Sequence, residues 1–71
     1  MITFFVTFKM ESPLRNQYAR ITAPNVTEAC FLAQNIWGRD LLAVYPPASW
    51  TDYLGHTVAL KLNLKELVWE Q

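Results

Sequence analysis

The segment Pro24-Asn25-Val26-Thr27-Glu28-Ala29-Cys30-Phe31-Leu32-Ala33-Gln34-Asn35-Ile36-Trp37-Gly38 constrains the fold of this chain more than any other. Pro24 stops whatever precedes it. Asn25 is a good helix N-cap, and Glu28 falls three residues later, where a carboxylate can reach back to the cap. At 100° per residue, Val26, Ala29, Cys30, Ala33, Ile36 and Trp37 fall on one stripe. Gly38 supplies the positive-φ residue that closes a helix. The spacing therefore predicts one amphipathic helix that must lie on something apolar.

Strand patterns on either side supply that surface. Residues 2–9 alternate Ile2, Phe4, Val6, Phe8 with Thr3, Phe5, Thr7, Lys9, a period of two in β-branched and aromatic residues. Gln17–Ala23 alternates Ala19, Ile21, Ala23 with Tyr18, Arg20, Thr22. Ser12-Pro13 and Asn16 lie between them and favour a turn, so the two strands form an antiparallel hairpin. The inward alanines leave room for a helix to approach closely. Leu41–Tyr45, bounded by Arg39 and Asp40 before and by Pro46 and Pro47 after, reads as a buried strand beside the first. Residues 57–64 alternate Val58, Leu60, Leu62, Leu64 with Thr57, Ala59, Lys61, Asn63 and predict a fourth strand. Residues 65–71 fit either a continued strand or a short terminal helix. The expectation is one α+β domain over residues 1–71, of order β-β-α-β-β. Its antiparallel sheet has three or four strands, with one helix packed on one face.

Composition narrows what such a domain does. Seventy-one residues is near the lower limit for a single core, and such chains need crosslinks, a metal, self-association or a very apolar interior. Cys30 is the only cysteine, so no disulfide forms within the chain. With His56 it makes only two soft ligands where zinc takes four, so no metal or other cofactor is expected. A content of 52% hydrophobic and 14% aromatic residues leaves a dense core or an interface as the remaining routes. Six Lys and Arg balance six Asp and Glu, which disfavours nucleic acid as a partner, because phosphate contacts require a basic excess. The first residues show no basic-then-apolar leader and no run long enough to span a bilayer. The lone thiol also suits a reducing compartment, so a cytoplasmic protein is expected.

Candidate residues follow from what the core cannot absorb. No catalytic residues are expected: His56 has no nucleophile or carboxylate partner at a recognised spacing, and the two glycines form no phosphate loop. The chain reads as a non-enzymatic protein. Phe31 projects opposite the helical stripe, beside Thr27, Glu28 and Asn35, so Glu28, Phe31 and Asn35 form one candidate partner-binding surface. The region after Pro46 and Pro47 holds Ser49, Trp50, Asp52 and Tyr53. One helical turn, capped by Ser49 with Asp52 as its partner, places Trp50 and Tyr53 on one side. Trp50, Asp52 and Tyr53 form the second candidate surface, although large aromatics in a loop also serve to pin it to the core. An alternative uses the face of the sheet left open by the helix, where Phe5, Tyr18 and Arg20 would stack and hold single-stranded nucleic acid. A third reading is a homodimer that spends the apolar excess on itself.

The aromatic-threonine strand, the second strand, and Ala23-Pro24-Asn25-Val26-Thr27-Glu28-Ala29 opening a helix that closes at Trp37-Gly38 resemble small accessory proteins of bacteriophages and prophages. The resemblance covers about the first two-thirds of the chain. It implies a single-domain inhibitor that binds and occludes a host protein, as anti-CRISPR and other anti-defence or host-takeover proteins do.

Overall fold

The computed structural model describes residues 1–69. The fold is α+β, built on a four-stranded sheet of order β3-β1-β2-β4. Strand β1 (Ile2–Phe8) pairs antiparallel with β2 (Gln17–Ala23), in a register that sets Phe4 against Ile21 and Phe5 against Arg20. Their connection folds around Ser12, which is buried and accepts the Leu14 N–H at 3.0 Å. It ends at Asn16 with φ +69°, the left-handed conformation that asparagine tolerates. Strand β3 (Leu41–Tyr45) pairs antiparallel with the other side of β1, with a register shift between Thr7 and Phe8.

Helix α1 (Val26–Trp37) lies across one face of this sheet. Its first turn is capped by Asn25, whose side-chain oxygen accepts the Glu28 N–H at 2.9 Å. Gly38 closes it at φ +54°, and a 3-10 turn, Gly38–Asp40, leads into β3. Beneath the helix, Phe4, Val6, Phe8, Ala19, Ile21 and Ala23 from the sheet meet Ala29 and Ala33 to form the core. The stripe differs from the projection at several positions. Leu32 packs against the core, while Val26 and Ile36 are 48% and 42% exposed. The row Ala29, Ala33, Trp37 faces the bulky strand side chains, because small residues allow the closest approach. That rotation carries the first-turn Val26 outward and brings Leu32 down.

The second half of the chain departs further from expectation. The single helix and the purely antiparallel sheet are both corrected. Two short helical turns, α2 (Pro47–Trp50) and α3 (Val58–Lys61), follow β3. Residues 57–64 do not form a strand. Thr57 instead caps α3 through its hydroxyl, which accepts the Leu60 N–H at 3.1 Å, and Asn63 with φ +55° follows the turn. The alternation there is carried by leucine, a strong helix former, and only Val58 and Thr57 are β-branched. The fourth strand is the dipeptide β4 (Lys65–Glu66), which runs parallel to β2 and makes the sheet mixed. Leu67 N–H bonds the Tyr18 carbonyl at 2.7 Å, and the Trp69 indole N–H bonds the Arg20 carbonyl at 3.2 Å. Trp69 also meets Trp37 edge-on at 4.9 Å, as Trp37 meets Phe8 at 5.3 Å. Glu70 and Gln71, part of the terminal segment considered above, lie outside the described residues.

Candidate interaction surfaces

The face of the sheet opposite α1 is not open. Residues 46–64 cross it as an arm, and Trp50, only 4% exposed, is the arm's buried residue. Its ring stacks on Phe5 at 4.8 Å with 5° between planes. Tyr18 and Tyr45 flank it at 5.3 and 5.4 Å, both tilted. The Trp50 position follows from the local sequence: Pro46 and Pro47 end β3 and set the first helical residue, and one turn later the indole lands over Phe5. Two expectations change as a result. Trp50 is a structural anchor and not an exposed partner contact, and it does not share a side with Tyr53. Phe5, Tyr18 and Arg20 do not form an open nucleic-acid platform, because Trp50 occupies the ring faces and the Arg20 guanidinium pairs with Glu66 at 2.6 Å.

Beyond Trp50 the arm forms a closed loop. Thr51 and Thr57 make an antiparallel bridge, the Asp52 N–H donates to the His56 carbonyl at 2.9 Å, and Gly55 turns at φ +82°. Asp52 organises this loop. Its Oδ1 accepts the Leu54 and His56 N–H groups at 2.9 Å each, and its Oδ2 pairs with Lys61 of α3 at 2.6 Å. The hydrogen bond from Lys61, then the backbone donors, lower its pKa from the ordinary 3.8 to about 2. Ser49 lies inside α2 and does not cap a turn with Asp52.

This bracing holds apolar side chains in water. Tyr53 at the loop tip is 94% exposed, and Leu54, Leu60 and Leu62 are exposed beside it. Leu62 and Leu64 also line a cleft of about 320 Å³ with Met10, Leu42 and Tyr45, between the arm and the sheet. Leu54, Leu60, Leu62, Met10 and Leu42 were not singled out in the sequence. Leu60 and Leu62 are hidden there because a leucine in an alternating run reads as core.

On the opposite side of the molecule, Glu28, Phe31 and Asn35 are exposed as projected, Phe31 at 60%. The three share one side of α1. On its other flank Phe31 borders a shallow depression of about 310 Å³ with Val26, Thr27, Cys30 and Gln34. Cys30 therefore sits at the margin of the core and not within it. The structure separates the two candidate surfaces: one is the outer side of α1, the other is carried by the arm on the far face of the sheet.

Among the described residues, no group of three or more His, Cys, Asp and Glu side chains is placed to hold a metal ion. None of the described helices is long and apolar enough to cross a membrane. Comparison with protein-family models, with curated proteins and with solved structures finds no match to this chain.

Proposed function

We propose that this protein acts by binding another protein, with the braced arm as its principal contact surface and the Phe31 side of α1 as a second. The observation that carries the reading is the arm. Tyr53, Leu54, Leu60 and Leu62 stand in solvent on a segment whose backbone is fixed by Asp52, Lys61 and the Thr51–Thr57 bridge. A preorganised segment with exposed aromatic and aliphatic side chains loses little conformational entropy on docking, and buried aromatics dominate interface energy. The mode of action is occlusion of the partner, without catalysis. The likeness of the first two-thirds of the chain to phage-encoded accessory proteins directs this reading to a bacterial host protein and to the host cytoplasm.

The test is affinity capture from a bacterial lysate with the wild type and the Tyr53→Ala/Leu60→Ala double variant. Both side chains are exposed, so the variant should fold normally by circular dichroism. The expected result is a protein retained by the wild type and lost with the variant. Equal retention by both would remove the arm from the interface. Retention lost only with Phe31→Ala would move the contact to α1.

A further inference from the structure

The two edges of the sheet are treated differently. The β2 edge is covered: β4 pairs with Gln17 and Tyr18, Leu67 bonds the Tyr18 carbonyl, and the Trp69 indole takes the Arg20 carbonyl. The β3 edge is bare. Among the described residues β3 pairs on one side only, with β1; the Leu41 N–H turns back to the Gly38 carbonyl, and no backbone hydrogen bond joins Leu42–Tyr45 to any strand but β1. Proteins normally guard such an edge with a lysine, a proline within the strand or a bulge that turns it away. Leu-Leu-Ala-Val-Tyr carries no charge and no proline; its one irregularity is the register shift at Leu42, which has no partner on β1 and is 60% exposed. Unpaired N–H and C=O groups in a row specify their occupant, which is another extended strand.

We propose that the occupant is β3 of a second copy, and that two chains join antiparallel through Leu41–Tyr45 into one continuous sheet. The pairing is self-complementary about a two-fold axis, as a symmetric dimer requires. Charge placement favours the antiparallel arrangement. It sets Arg39 and Asp40 of one copy beside Pro46 and Pro47 of the other, whereas parallel pairing would oppose Arg39 to Arg39 and Asp40 to Asp40. A net charge of zero adds no repulsion between copies. A five-residue edge spans about 17 Å, so the contact belongs with small interfaces, below about 1,200 Å², which associate weakly. The dimer forms at high protein concentration. It uses neither Tyr53 nor Phe31, although Leu42 shares a cleft with Leu62 of the arm.

Sedimentation equilibrium on the full chain, from micromolar to submillimolar concentration, tests this. A reversible monomer–dimer equilibrium is expected, and Leu42→Lys should weaken it about tenfold or more by placing like charges close to the axis. Phe31→Glu and Tyr53→Ala should leave it unchanged. Amide exchange of the wild type gives an independent readout, with exchange in Leu41–Tyr45 slowing as concentration rises and exchange in α1 unaffected. A monomer throughout the range would overturn the proposal. So would a dimer that survives Leu42→Lys and is lost with Phe31→Glu, or one that leaves β3 exchange independent of concentration.

Discussion

The two faces of the sheet are covered by different means. On one, a helix of 12 residues lays down a continuous row, and the side chains beneath it interlock without a polar atom among them. On the other, one indole is the arm's buried anchor, set among Phe5, Tyr18 and Tyr45, while Tyr53, Leu54, Leu60 and Leu62 of the same arm stay in water. Thr7 lies buried on that second face, and its hydroxyl has no hydrogen-bond partner among the described residues. A small chain needs both faces covered but has helix enough for only one. Aromatic stacking lets a short arm do the second at the lowest cost in residues, and it leaves the arm's own apolar side chains unburied.

The contrast breaks most readily at Trp50. Trp50→Ala should cost about 3 kcal/mol or more in urea denaturation, because it removes the arm's one buried side chain. A loss comparable to that of an exposed residue would show that the arm is not a structural cover. On the helical face the sensitive direction is reversed. Ala33 is fully buried between helix and sheet, so Ala33→Leu should overpack the contact and cost about 1–3 kcal/mol. Tolerance of leucine there would mean that this face is as loosely filled as the other.

Thr7→Val separates the faces by sign. Replacing an orphaned hydroxyl with a methyl group of similar shape should stabilise the protein by about 1 kcal/mol, where most core substitutions destabilise. Destabilisation would indicate that the hydroxyl has a partner. The smallest effect is expected within the arm itself. Asp52 is held below its ordinary pKa, so its contribution is present above about pH 4 and is lost as pH falls toward 2. Amide signals of Leu54 and His56 should shift over that interval while those of α1 do not. Asp52→Asn should lose the acid transition. Coincident changes in arm and helix would show that the two faces unfold as one unit.

The helix and the hairpin were legible because each signal is local. Asn25, Glu28 and Gly38 mark the ends of α1 through caps and backbone conformation, and these act within a few residues. The period-two pattern of β1 and β2 sets their faces directly, and Asn16 marks the turn between them. Phe31 was found outside the core for the same reason, since opposition on a helix is a matter of angle alone.

What the sequence could not decide was everything settled by competition between distant segments. Residues 57–64 alternate like a strand, yet leucine serves a helix equally well, and Thr57 caps the turn that forms there. The faces of Phe5 and Tyr18 look free until Trp50, far along the chain, reaches them. Trp69 gives no local sign of its role because its partners are the Arg20 carbonyl and Trp37. Helix α1 therefore follows from its own residues: caps and periodicity are short-range properties. Which faces and edges of the sheet remain exposed does not, because burial is a property of the whole chain once distant segments have been brought together.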